Sequence, residues 1–313
     1  MHREPEAGLL QTQLPSWIGL LNDSAYGPPS TVSDRQNADS LVGEPGQPIY
    51  NASNGLEPDV DFGQTDHQAV LEQAPTSNLL VTPAGATNES SGNMAKVLQG
   101  LTSDDTFGRM MPNRFDGRLS VKGISLGSIA WTSPRLVEGI VPGEGLQKLG
   151  WQPGDNLHHV PDRLWRTLVA DRGPDGKRPP GVYRRACSYC LSNASSKGDI
   201  NTEKLFRDQS QPQIVRDFLD RVRSVVWSRR IFTIEASEPV FGLSPDDAEP
   251  GDMVCIFYGC SVPVVVRKHD DHSSVASYQL VGECYVHGRM DGEALLAINV
   301  EELRSSTREF VLR

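Results

Sequence analysis

Nowhere in the 313 residues is there an apolar run approaching the ~20 that a membrane-spanning helix requires. The opening MHREPEAGLLQTQLPSW also lacks an apolar stretch of signal-peptide length. Cysteine is sparse and odd in number, with five residues (Cys187, Cys190, Cys255, Cys260 and Cys284) all in the C-terminal half. That pattern argues against a secreted disulfide framework and for reduced thiols in a soluble, cytoplasmic protein. Neither a G-x-x-x-x-G-K-[ST] nor a G-x-G-x-x-G frame occurs, so nucleotide cradling has no support. A G-x-S-x-G elbow for a serine nucleophile is missing as well.

A basic excess is also lacking. The chain carries 30 Lys and Arg against 40 Asp and Glu, a net charge of −10. The acidity sits in residues 1–115, with 5 basic against 14 acidic side chains, while residues 116–313 hold 25 against 26. Nucleic-acid binding wants a basic face that releases counterions from phosphates. The one local cluster, Arg216, Arg221, Arg223, Arg229 and Arg230, is interrupted by Asp217 and Asp220 and reads as a solvated helix face. No nucleic-acid or membrane partner is expected.

Glycine (29) and proline (22) are plentiful, and the apolar fraction of 37% is low for a fully globular chain. Residues 19–115 show apolar side chains singly or in pairs, too few to offset the entropy of ordering them. Residues 1–116 therefore read as an acidic, largely disordered segment with a few anchored pieces, Leu14-Pro15-Ser16-Trp17 and Ile49-Tyr50-Asn51-Ala52. The triplets Asn51-Ala52-Ser53 and Asn88-Glu89-Ser90 fit the glycosylation pattern, a chance match in a chain without a secretory signal.

Order is expected from residue 117. Residues 118–124 alternate as a half-buried strand does, continuing to Trp131 after a bend at Gly123. Asp162 reads as the N-cap of a short helix with Leu164, Trp165, Leu168 and Val169 on one stripe. Pro212 opens a second helix over 212–228, where Ile214, Val215, Phe218, Leu219, Val222, Val225 and Val226 recur at three- and four-residue spacing. Beyond it the period falls to two. Strands are expected at 229–236, 252–258, 262–267, 278–287 and 308–312, with Gly259-Cys260-Ser261 as a hairpin loop. Residues 295–303 form a short helix or an irregular closing segment. The whole predicts an α+β protein: a mixed strand and helix region at 117–228, then a β-rich module at 229–313. That module is an antiparallel β-meander or small barrel-like sheet packed on the 212–228 helix.

A set of separated phrases, in order, resembles the C-terminal region of fungal heterokaryon-incompatibility (HET) family proteins. They are Leu14-Pro15-Ser16-Trp17; Tyr50-Asn51-Ala52-Ser53; Arg118 to Ile124; and Leu164-Trp165-Arg166-Thr167-Leu168-Val169-Ala170-Asp171-Arg172. The closing stretch is the most specific. Arg229 to Thr233 leads to Gly242 and Pro245, then Gly251, Asp252, Gly259, Pro263 and Arg267. The run ends in Gly282-Glu283-Cys284-Tyr285-Val286-His287-Gly288-Arg289-Met290-Asp291-Gly292-Glu293. Only thirteen residues precede Leu14, so the resemblance implies that the HET domain itself is absent. What it implies of function is an accessory or regulatory region in fungal non-self recognition. Such a region acts as a protein-interaction module on a HET domain in cis or on a partner in trans. A truncated, non-functional fragment is the alternative of the same origin.

The densest chemistry lies in the same run. If 278–287 were one strand, Glu283, Tyr285 and His287 would share a face, with Asp291 and Glu293 following the Gly288 turn. Such groups can ligate a divalent metal or work as an acid–base pair, which gives a second reading, a small metal-dependent hydrolase. The bland reading, polar members of a strand pair followed by an Asp-Gly turn, is preferred, because no nucleophile motif accompanies them. Cys187-Ser188-Tyr189-Cys190 is a lone C-x-x-C without a second pair or a βαβ context, and His158-His159 lies in a Pro-marked loop. No catalytic residue, metal ligand or cofactor is therefore assigned, and the chain reads as a non-enzyme.

Overall fold

The computed structural model of the chain describes residues 38–44, 47–64, 115–137, 139–236, 239–269 and 275–313. The Leu14–Trp17 anchor and most of the expected disordered segment lie outside them. The chain divides into two units, Met1–Asp61 with Leu119–Arg313, and Phe62–Arg118. Of the second, residues 62–64 and 115–118 are described, at strand ends. The strands are β1 (Gly43–Glu44), β2 (Gln47–Pro48), β3 (Val60–Gln64), β4 (Phe115–Thr132), β5 (Ile140–Val141), β6 (Ile200–Asn201), β7 (Arg229–Ile234), β8 (Val240–Pro245), β9 (Met253–Phe257), β10 (Val264–Lys268), β11 (Ser277–Glu283), β12 (Tyr285–Val286) and β13 (Thr307–Leu312). The helices are α1 (Gly143–Lys148), α2 (Asp162–Leu168), α3 (Tyr183–Ser192), α4 (Thr202–Arg207), α5 (Gln213–Val226), α6 (Glu293–Leu296) and α7 (Val300–Ser306). No helix among the described residues is long and apolar enough to cross a membrane.

The α+β class and the mostly antiparallel C-terminal sheet are as expected. The 118–131 strand is longer than the alternation suggested, and it is the hub of the sheet. From Leu119 to Ile124 β4 pairs with β13, from Gly123 to Ser128 with β9, and at Ile129, Trp131 and Thr132 with β7. Register shifts fall at Ser125/Gly127 and at Ile129/Trp131. These irregularities bend the strand where it changes partner, which is what bulges do. At Gly123 both edges are in use at once, and a side chain there would collide with the Ile256 carbonyl. β9 pairs with β10, β10 with β11, and β11 runs parallel to β13. The path β4–β13–β11–β10–β9 therefore returns to β4, with β11 and β13 joined at Ser277 and Tyr278. β7, β8 and β12 extend the sheet from the far end of β4.

One apolar cluster gathers Val121, Cys255, Phe257, Val264, Val266, Phe310 and Leu312 from the ring strands, with Phe310 5.3 Å from Phe257 and 5.4 Å from Tyr278 between ring centroids. The alternate residues of β9 enter other clusters: Val254 joins Phe232, Ile234 and Val286, and Ile256 joins Ile124 and Leu295. Burial on both faces explains why Met253–Phe257 is nearly continuously apolar.

The largest cluster joins α2, α3, α5 and β7. α5 buries Val215, Phe218, Leu219, Val222, Val225 and Val226, the stripe its spacing predicted. Each of these is worth roughly 1.5–3 kcal/mol relative to exposure. α3 packs on it, with Tyr183 edge-on to Phe218 at 5.5 Å.

Several expectations need correcting. Asp162 does not cap α2; Pro161 holds that position, and the Asp162 carboxylate accepts the Trp165 Nε1–H at 2.9 Å. The 278–287 strand is broken at Cys284, whose N–H turns to the Pro263 carbonyl at 2.9 Å. Tyr285 and Val286 then pair with Leu243 and Gly242 of β8 instead. The C-x-x-C belongs to α3, where Tyr183, Ala186, Cys187, Cys190 and Leu191 form its buried face. The closing segment is two short helices, the second with an Asn299–Glu302 capping box.

Candidate functional site

β11 ends on Glu283 and β7 begins on Arg229, 54 positions earlier. Their side chains are 6% and 4% exposed and meet at 2.8 Å. Burying both charges is costly unless every remaining donor and acceptor is used. Here they are used densely. Arg229 donates through Nη1 to the Val225 carbonyl at the end of α5 (2.5 Å) and through Nη2 to the Asp39 carbonyl (2.9 Å). Glu283 accepts the N–H of Leu41 (2.7 Å), the N–H of Val42 (3.2 Å) and the Ser40 hydroxyl (3.0 Å). The Asp39 N–H donates to the Ser224 carbonyl at 2.7 Å. The pair thus grips a stretch of backbone near the start of the described chain.

A second charged cluster grips the same stretch further on. Arg172 reaches both carboxylate oxygens of Asp291 through Nη2, at 2.6 and 2.8 Å, and donates through Nε to the Ile49 carbonyl at 3.2 Å. Its guanidinium lies 4.4 Å from the Tyr50 ring centroid, a cation–π contact. The Tyr50 hydroxyl donates to the Ala170 carbonyl at 2.5 Å, and burial raises its pKa far above the ordinary tyrosine value. Ala170 and Asp171 both adopt positive φ, +49° and +50°, a costly conformation for residues with a Cβ. The turn is fixed by the Arg166–Asp171 ion pair and by the Asp171 N–H on the Arg166 carbonyl. Arg221 adds a bond from Nε to the Arg172 carbonyl at 2.9 Å.

His287 stands beside this cluster, its Nδ1 3.1 Å from the Tyr285 hydroxyl. Burial lowers its pKa below the usual histidine value; Asp171 and Asp162 pull the other way, while Arg166 and Arg163 push further down. Tyr285 is fully buried and its hydroxyl is raised for the same reason. Glu293 turns back to accept the Asp291 N–H at 2.7 Å.

The four groups of the metal or acid–base reading are therefore dispersed: Glu283 on Arg229, His287 on Tyr285, Asp291 on Arg172, Glu293 on local backbone. Among the described residues no group of three or more His, Cys, Asp and Glu stands where it could hold a metal ion. Cys187, Cys190, Cys255, Cys260 and Cys284 are free thiols, and burial raises the pKa of each, with Cys190 and Cys255 pushed up to about 12.

The other motif residues hold turns and close approaches. Trp165 is buried with Arg166 stacked 4.5 Å over its ring, and Thr167 is fully buried with no partner for its hydroxyl among the described residues. Gly242 faces the Tyr285 carbonyl; a Cβ there would collide with it and come within 2.5 Å of the Phe232 ring. Gly251 (φ +99°) donates its N–H to the Ile129 carbonyl, which places the following Asp252 against Arg267 at 2.8 and 2.9 Å. Gly259 (φ +83°) turns the β9–β10 hairpin against Pro58, where a side chain would clash. Gly282 packs on Pro245, Pro263 is buried, Gly288 closes the turn after His287, and Gly292 caps α6 against Asn54.

Sequence reasoning missed the arginines. Arg223 and Arg229, read as part of a solvated face, are 7% and 3% exposed; Arg223 is paired with Glu203 at 2.9 Å. The available signal was position: Arg223 sits one residue after Val222 on the apolar stripe, and Arg229 opens a strand of buried residues.

Residues 201–305 match the family model described as the Het-6 beta-barrel domain. The chain is also 35% identical over 85 residues to heterokaryon incompatibility protein 6, OR allele, of Neurospora crassa. That alignment covers 24% of this chain and 12% of the relative, so the chain accounts for only a small part of the relative's length. No solved structure matches. Residues 201–305 of the chain are thus similar to a domain known from heterokaryon-incompatibility proteins.

Proposed function

We propose that the chain is a non-enzymatic accessory module of fungal heterokaryon incompatibility, working in the cytoplasm by binding a protein partner, a HET domain in cis or in trans. The family match sets the context. The observation that carries the reading is the use made of the motif run. Glu283 is spent on Arg229 and the backbone of residues 40–42, and Asp291 is spent on Arg172. A catalytic carboxylate must meet its substrate, whereas these ones tie distant segments of the chain together. The free thiols suit a reducing compartment.

The experiment is a titration of the full chain with a purified HET domain, followed by calorimetry. Saturable binding supports the reading; no heat at protein concentrations near 100 μM, about 5.5 kcal/mol of binding on the usual scale, sinks it. Elemental analysis of the same preparation addresses the hydrolase alternative. One equivalent of tightly held zinc or manganese would favour that alternative over ours.

A further inference from the structure

We propose that residues 38–44 and 47–56 are a seated peptide, and that the cleft receiving them is a binding site for a segment that folds in that pattern, with β1 paired to β2. The inference rests on the reading of the chain as a binding module and names what it can bind. The segment is held almost wholly through its main chain, by groups distant in sequence. Glu283 takes two successive N–H groups, at Leu41 and Val42, and Arg229 takes the Asp39 carbonyl. Arg172 takes the Ile49 carbonyl. Further on, the N–H groups of Asn51, Ala52 and Ser53 donate to the carbonyls of Met290, Ser261 and Cys260, at 3.0, 3.0 and 3.3 Å. Main-chain bonds give a peptide site its affinity, and side-chain keys give it selectivity. The keys here are Leu41 and Tyr50, each 2% exposed, the fully buried Ala52, and the Ser40 hydroxyl on Glu283.

The receiving side is built to demand an occupant. Among the described residues, three of the four groups that donate to Glu283 come from the segment. Withdrawing it would leave the buried Glu283 carboxylate with Arg229 alone of those four donors, short of the bonds that offset its desolvation. Positive φ at Ala170 and Asp171, where the Tyr50 hydroxyl docks, marks strained backbone held in place at the site. The occupant the chemistry describes is a hairpin-forming peptide with a hydroxyl residue, an apolar residue directly after it, and a tyrosine nine positions further on, past the β1–β2 pair. This chain supplies it in cis, and the same sequence presented in trans fits the cleft when the cis copy is displaced.

Hydrogen exchange on the full wild-type chain is the first arm of the test. The Leu41 and Val42 amides are expected to exchange through a local opening, at least about tenfold faster than the β9–β10 ladder amides. Exchange only in concert with that ladder overturns the proposal, because the segment would then be an inseparable part of the core. The second arm uses Leu41→Asp, which sets a carboxylate beside Glu283 and alters only the segment. Fluorescence anisotropy with a labelled synthetic peptide of residues 38–56 should show saturable binding to L41D, none to wild type, and none to L41D combined with E283Q. A folded L41D that ignores the peptide overturns the proposal as well; should that variant not fold, the wild-type exchange pattern decides. The HET-domain titration is a separate readout, so the peptide site and the proposed function can fail independently.

Discussion

The closed ring of strands and the arginine-held segment at residues 38–56 are stabilised by opposite means. The ring buries Phe257, Phe310 and alternating aliphatic residues, and each of its strands pairs with a neighbour on either side. The segment contributes Leu41, Tyr50 and Ala52 to burial, and its main chain is held by Arg172, Arg229, Glu283 and the carbonyls of Cys260, Ser261 and Met290. Apolar packing is non-directional and tolerates exchange of one hydrophobe for another. A buried carboxylate that reads two particular N–H groups does not. The first means specifies that a sheet closes; the second specifies which backbone lies against it.

Two large-effect variants set the contrast. Phe310→Ala should cost about 3–5 kcal/mol through the cavity it leaves, and Arg229→Ala about 3–5 kcal/mol by stranding Glu283 in the interior. Urea midpoints measure both. The distinction lies in rescue. Replacing an ordinary buried ion pair by two hydrophobes is often neutral. Arg229→Met with Glu283→Leu should nevertheless remain destabilised here, because the Leu41 and Val42 amides lose their acceptor. Full recovery in the double variant would reduce the pair to plain core. Gly242→Ala comes next, at about 1–3 kcal/mol, since its methyl has no room between Tyr285 and Phe232. Tyr50→Phe is smaller, about 1 kcal/mol for the bond to Ala170. It should speed exchange at Asn51 and Ala52 while leaving the β9–β10 amides unchanged.

The same contrast explains what the sequence could disclose. α5 and β9 were legible because packing writes a period: seven apolar positions at helical spacing, and a short apolar run bounded by turns. α3 obeys the helical period too, but only when Cys187 and Cys190 are counted as small hydrophobes rather than as possible ligands. β8 was hidden because Gly242 and Pro245 look like turn residues, and Gly242 is there for close approach. The break at Cys284 leaves no trace, since Glu283 to His287 keeps alternating as though one strand continued. The Glu283 motif was legible as a phrase but not as a site. Its partners lie 54 and about 240 positions away, and backbone N–H groups carry no signature at all.

His287 offers the finest test of whether the second charged cluster behaves as one unit. Its pKa in the folded chain is lowered from 6.5, first by burial. The unfolded chain therefore binds the proton more readily, so between the lowered value and 6.5 it carries more protons than the native state. By linkage, stability then rises with pH across that window and is lost as pH falls through it. Asp171 and Asp162 limit the shift, while Arg166 and Arg163 enlarge it. Urea midpoints between about pH 7.5 and about pH 5.5 should show this slope in the wild type and a flatter one in His287→Gln, by less than any effect above. Asp171→Asn removes the carboxylate that most favours the charged imidazole and should steepen the slope. It also releases Arg166, so the Tyr50 contact at Ala170 should loosen in the same variant. A slope that steepens without any change in Asn51 and Ala52 exchange would separate the histidine from the segment, and leave the Arg172–Asp291 pair and the Asn51–Met290 bond to join the motif run to Tyr50.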